Sequence, residues 1–127
     1  RRLAALRALA PYAALPGSGA AGGLGAALAA LGAELRPGAE LVLETIGFDP
    51  SGYDLVVTGE GTVDRTTAEG KAPALVARRC AAAGVRCIVF GGIVVEPLAG
   101  AETVALSGDP ARAREDLIAL GEQLAGG

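Results

Sequence analysis

Hydrophobic and polar positions recur along this chain with two different periods, and the switches between them mark its elements. Leu3, Leu6, Ala10 and Ala13 return at helical spacing, with Pro11 as a kink or stop, and predict a short helix over Leu3–Ala14. Small, flexible residues from Pro16 to Gly23 then open into a second helix that carries Leu24, Leu28, Leu31 and Leu35 on one face. Arg36-Pro37-Gly38 breaks it, and Leu41, Val42, Thr45 and Ile46 suggest another short helix ending at Gly47, with a strand as the alternative. The period then changes. Leu55-Val56-Val57-Thr58 is an apolar, β-branched run closed by Gly59 and is expected to be buried on both faces.

After a polar loop to Gly70, Pro73 sits in the first turn of a helix whose inner face is expected to be Ala72, Leu75, Val76, Cys80 and Ala83, stopped by Gly84. Cys87–Phe90 is a second buried strand ended by Gly91-Gly92, and Thr103–Leu106 a third. Asp109-Pro110 caps and starts a final helix with Ala113, Leu117, Leu120 and Leu124 inward. Strands alternating with helices give the β-α-β grammar of a parallel sheet covered by helices. The expected fold is therefore α/β, a Rossmann-like lobe over residues 37–127, preceded at 1–36 by a glycine-rich loop and helices. Ligands in such sheets sit beyond the carboxyl ends of strands, which directs attention to the loops after Thr58 and Phe90.

Composition narrows the function classes. With 127 residues, 51% of them hydrophobic, the chain is long enough for one core. A net charge of -3 and a pI near 4.9 supply no broad cationic surface for nucleic acid or an anionic membrane. Apolar runs stop short of a bilayer span and no signal-peptide layout opens the chain, so the cytoplasm is the expected compartment. The chain has no histidine, so acid/base chemistry falls to carboxylates or lysine. Cys80 and Cys87 are its only cysteines and read as small buried hydrophobes. It has no methionine either, and is expected to be a fragment.

Three segments carry candidate chemistry. Thr58-Gly59-Glu60-Gly61-Thr62-Val63-Asp64 sets two acids among glycines and hydroxyls at a strand's end. Glycines admit close backbone approach, and hard carboxylate oxygens suit Mg²⁺ or accept a proton from an attacking hydroxyl. A polar turn whose acids face water is the plainer alternative. Thr66, Thr67, Gly70 and Lys71 follow just before a helix, where amide dipoles and a point charge hold a phosphate or carboxylate. Lys71 is the one lysine against ten arginines. Gly17, Ser18, Gly19, Ala20, Gly22 and Gly23 form a second candidate anion cradle, or a tight helix-packing site. It is not a Walker A loop, because no Gly-Lys-Ser/Thr closes it.

In order and spacing, Pro16–Gly25, Leu35-Arg36-Pro37-Gly38, Thr58–Asp64, Thr67, Gly70-Lys71-Ala72-Pro73 and Val76-Ala77 resemble the type I glycerate kinase family. The likeness runs from about Pro16 to Gly92, and the block from Thr58 to Pro73 is its most specific part. It implies a truncated part of a two-lobed α/β kinase, lacking an N-terminal portion and inactive alone, with its active site in the cleft between lobes. The implied reaction is ATP-dependent phosphorylation of D-glycerate with Mg²⁺. On this likeness Glu60 or Asp64 binds Mg²⁺ or takes the glycerate proton, and Lys71 neutralises phosphate charge. Thr58, Gly59, Gly61, Thr67 and Gly70, with the Gly17–Gly23 run, contact phosphate or the glycerate carboxylate. The rivals are a kinase for another small hydroxy acid and a non-catalytic ligand-binding module.

Overall fold

A computed structural model describes residues 7–126. It contains two compact units, one through Val42 and one from Leu43 onward.

In the first unit, part of the helix expected at Leu3–Ala14 lies outside the described residues. The remainder is turns around a single 3-10 turn at Ala10–Tyr12, with Pro11 in its first positions. The glycine-rich run ends in a 3-10 segment, Ala20–Gly23, and opens into helix α1, Leu24–Ala30. The expected leucine face is corrected here. The helix stops at Ala30, and Leu24, Leu28 and Leu31 are exposed, Leu31 at 85%. Its buried side is instead Gly25, Ala26 and Ala29. The reason is close approach: a Cβ on Gly25 would lie 2.4 Å from the Gly17 carbonyl oxygen, so only a small-residue face fits there. Helix α2, Gly38–Thr45, replaces the strand alternative and is followed by Gly47 at φ 63°.

The second unit is built on a three-stranded parallel sheet in the order β1-β2-β3: β1 is Leu55–Val63, β2 Arg86–Val94 and β3 Glu102–Ala105. This is the α/β architecture expected from the pattern. Two strand ends differ from expectation. Neither Gly59 nor Gly91-Gly92 terminates its strand, because the two strands pair with each other through those glycines, Gly59 opposite Phe90 and Glu60 opposite Gly91, out to Val63 opposite Val94. Val95 then donates to the Val63 carbonyl at 2.9 Å, so the ladder outlasts both glycine runs. A Cβ on Gly59 would meet the Phe90 carbonyl oxygen at 2.5 Å, which explains why a poor strand former stands there. β1 is also not buried on both faces, since Val57 is exposed.

A short helix α3, Arg65–Ala68, leads to α4, Ala72–Ala83, which ends at Gly84 with φ 70° as its sequence foretells. The face that α4 buries against β1 and β2 is Pro73, Ala74, Val76, Ala77 and Cys80, whereas Ala72 and Ala83 are exposed. Its partners in the core include Leu43, Val63, Cys87, Val89 and Leu98. Both cysteines are buried there, and desolvation, then the neighbouring Cys80, pushes the Cys87 thiol up to about 11. A 3-10 turn at Pro110–Arg112, capped by Asp109, feeds helix α5, Ala113–Ala125. Of its expected inner face Leu120 is buried, while Leu117 is exposed. None of the described helices is long and apolar enough to cross a bilayer.

Two carboxylates, the exposed Asp49 and the largely buried Asp116, fasten loops. The Ser51 hydroxyl and N–H hold Asp49 below the usual carboxylate range, and the Ser107 hydroxyl and N–H, helped by Arg112, do so for Asp116.

Two measurements follow. Gly59→Ala should lower stability by about 1–3 kcal/mol through overpacking against Phe90. Gly61→Ala, whose Cβ meets nothing within 4 Å, should stay within about 0.5 kcal/mol of the parent. Equal urea midpoints for the two variants would contradict the close approach at residue 59. The folded pKa values of Asp49 and Asp116 lie below the ordinary aspartate value of 3.8, so their stabilisation is present above that value and is lost as pH falls through the folded values. Taking the pH from about 5 to about 3 should lower the urea midpoint, and Asp116→Asn should show a smaller drop. An equal drop would remove Asp116 from this account.

Candidate functional site

Because β1 continues through its glycines, Glu60 is a strand residue and the strand's carboxyl end is at Val63. Asp64 comes next and caps α3. Its carboxylate accepts from the Thr66 N–H at 2.8 Å and the Thr66 hydroxyl at 2.6 Å. Thr67 answers as the other half of a capping box, its hydroxyl oxygen accepting from the Asp64 N–H at 3.1 Å. Thr67 is fully buried, and its one O–H donates to Glu60 Oε1 at 2.5 Å. One buried hydroxyl thus ties the acid inside the strand to the cap that follows it.

Lys71 lies at the N-cap of α4, where Pro73 fixes the first turn. Its Nζ reaches back to Glu60 Oε2 at 3.3 Å and to Asp64 Oδ1 at 3.8 Å. The three side chains therefore converge. Their exposures, 20% for Glu60, 35% for Asp64 and 41% for Lys71, leave the cluster open to a ligand. Hydrogen bonding from the Thr66 hydroxyl, then from backbone N–H groups and the Lys71 charge, holds the Asp64 carboxyl below its usual range, so it is ionised at neutral pH.

A divalent cation has a limited but usable donor set here. Among the described residues no group of three or more acidic, cysteine or histidine side chains could hold a metal. Mg²⁺ does not need one: it keeps several waters and takes one or two carboxylates together with substrate phosphates. Glu60 and Asp64, both partly exposed and sharing Lys71, fit that mode.

Other residues singled out from the sequence fall into two groups. Thr58, Gly59 and Gly61 lie within β1, and Gly70, at φ 109°, immediately precedes Lys71. Thr67 is brought to the cluster, but its hydroxyl is taken up by Glu60 and Asp64. Gly17, Ser18, Gly19, Ala20, Gly22 and Gly23 belong to the other compact unit. There Ser18 is buried and donates to the Ala13 carbonyl at 2.9 Å, while Gly17 and Ala20 line a cavity of about 350 Å³ with Leu24 and Leu28. Sequence reasoning missed the polar partnership of Ser107 with Asp116 beyond β3. It also missed that Gly91-Gly92 lies opposite the glycine-rich end of β1, for which two glycine runs following two strands were the available signal.

Comparison with known proteins identifies the family. The sequence profile of the glycerate kinase family matches residues 2–108. The chain is 49% identical over 83 residues to a glycerate kinase of Bacillus cereus, covering 63% of this chain and 22% of that protein. To the glycerate 2-kinase of Escherichia coli it is 50% identical over 66 residues, covering 50% of this chain and 17% of the relative. The crystal structure of a protein described as a putative glycerate kinase 2 from Salmonella typhimurium superimposes with a TM-score of 0.56 at 38% identity, over 72% of this chain and 25% of that one. The chain thus spans about a fifth of the length of the curated relatives it matches. With a profile match over most of its residues and the same fold in a solved relative, the chain belongs to the glycerate kinase family.

Proposed function

We propose that this chain supplies part of the active centre of a glycerate kinase that moves the terminal phosphoryl group of ATP to a hydroxyl of D-glycerate, with the cytoplasm as its compartment. Activity is expected of a polypeptide of the relatives' length and not of these 127 residues alone. The observation that carries the reading is the Lys71 ammonium held 3.3 Å from Glu60 and 3.8 Å from Asp64 at the end of a parallel strand. A compact cation beside two carboxylates suits a phosphate and its metal ion arriving together.

In the transfer, the glycerate oxygen forms the new bond to phosphorus as the bond to the ADP oxygen breaks, and the hydroxyl proton leaves to a carboxylate. Such transfers depend on position and charge more than on covalent help from the protein. Lys71 neutralises the equatorial phosphoryl oxygens. Glu60 and Asp64 would hold Mg²⁺, which supplies charge neutralisation on the phosphates when bound. Either acid would receive the proton, and the low pKa of Asp64 favours its role as a fixed negative ligand. Thr67 is a positioning residue that holds Glu60 in place. The Gly17–Gly23 run of the other unit would by itself be a separate cradle for a phosphate or the glycerate carboxylate, one in which the Ser18 hydroxyl and the Ser18 and Ala20 N–H groups are already donated to the Ala13, Leu15 and Gly17 carbonyls.

The test is a chimera in which this chain replaces the matching segment of the Escherichia coli relative, assayed for ATP-dependent phosphorylation of glycerate and of other small hydroxy acids. Lys71→Met should lower kcat by roughly 10²–10³, and Lys71→Arg should not restore it, because a guanidinium cannot reproduce the point charge. Asp64→Asn should lower turnover by roughly 10²–10⁴ if it takes the proton. A tenfold or smaller loss would remove it from that role. Faster turnover of another hydroxy acid would move the substrate assignment, and an inactive chimera that still binds ATP would favour a non-catalytic module.

A further inference from the structure

The leucines of helix α1 recur at the spacing of a core face, yet they stand in solvent. Leu24, Leu28 and the C-cap residue Leu31 share one side of the helix, and all three are exposed. Beside them runs a groove of about 350 Å³ whose walls include Leu24, Leu28, Leu35 and Leu41. Leu15 and Val42 are exposed in the same unit.

What this unit buries is small. From residue 7 to Val42 the buried residues are Ser18, Gly23, Gly25, Ala26 and Ala29. A unit of about forty residues is at the size where folding usually needs a disulfide, a metal or a partner. Both cysteines lie in the other unit, and among the described residues no group of acids, cysteines and histidines could hold a metal. A partner is left.

Two observations say which. The family profile takes in this unit from residue 2 onward, so the unit is part of the family's own fold and not an appendage. Of the Bacillus cereus relative the matched segment makes up 22%, so most of the polypeptide of that fold lies outside it. A second copy of this chain fits poorly. Specific interfaces bury roughly 800 Å² a side, which three leucines on a seven-residue helix do not supply. Flanking polypeptide escapes that requirement, because the chain itself holds it at high local concentration.

We infer that this leucine face is one wall of a core whose other wall is an apolar surface of the polypeptide flanking this segment in a protein of the family's length. The occupant presents aliphatic side chains, since leucine, alanine and glycine make up most of the groove. The inference stands on the fold and on family membership, apart from the phosphotransfer reading.

Thiol labelling tests it, because the native cysteines are buried and add little background. Leu31→Cys is placed in the 127-residue chain and in a chimera where residues 2–108 replace the corresponding segment of the Bacillus cereus relative. Reaction with a maleimide is followed by mass spectrometry at the peptide containing position 31. At 85% exposure, that position should react in the short chain as fast as in a free peptide. In the chimera it should react roughly a hundredfold more slowly, at a rate set by local opening. If the substituted chimera shows no cooperative melt, Leu28→Cys and the Escherichia coli relative as scaffold replace it. Fast labelling in a folded chimera would overturn the inference. Slow labelling in the short chain would overturn it too: protection lost on dilution would make a second copy the cover, and protection that persists would place the cover within these residues. The readout needs neither ATP nor glycerate, so a slow thiol in an inactive chimera upholds the inference and counts against the catalytic reading alone.

Discussion

Everything at the candidate site depends on β1 and β2 remaining paired where their sequences invite them to part. Glycine weakens a strand, and each of these strands carries two. Three of the four, Gly59, Gly91 and Gly92, stand where the backbones come so close that a larger residue would not fit: a Cβ on Gly92 would stand 2.8 Å from the Gly61 carbonyl oxygen, and one on Gly59 would strike Phe90. The close approach and the glycines are two sides of one constraint. Its product is an extra turn of ladder that carries Glu60 within the sheet and delivers Asp64 at its end.

From that platform the charges are assembled by hydroxyls. Thr66 and Thr67 occupy successive positions and divide the work, the first satisfying the Asp64 carboxylate and the second bridging its backbone to Glu60. Neither acid could be brought beside the other cheaply without compensation, since like charges at this range repel. Lys71 supplies it from the next helix cap. The cluster is therefore partly neutralised in advance by a partly exposed group, and the one negative charge left over suits an incoming metal cation.

Much of this was legible from residue type. The alternation of apolar β-branched runs with helical repeats gives the parallel sheet, Gly84 stops α4, and a single lysine among arginines stands out before coordinates are known. Local signals mislead where tertiary contact overrides them. Gly59 and Gly91-Gly92 read as strand ends because propensity knows nothing of a partner strand thirty residues away. Leu24, Leu28 and Leu31 read as a core face because periodicity marks which residues share a side, and the side buried was chosen by the approach of Gly17 to Gly25. The same holds for Thr67: sequence shows a hydroxyl near two acids, and only the fold shows that its hydrogen-bonding capacity is already committed. Asp116 was invisible because its partner, Ser107, lies on a different element.

The treatment of sulfur in this chain has its own outcome. With no methionine and both cysteines inside the α4–sheet core, soft, oxidisable atoms are withdrawn from the surface. The reactive form of a thiol is its anion, and a group pushed up to about 11 exposes on the order of one part in ten thousand of it at neutral pH. Peroxide therefore meets no exposed sulfur among the described residues, and oxidation of the thiols in this segment would have to wait for the core to open.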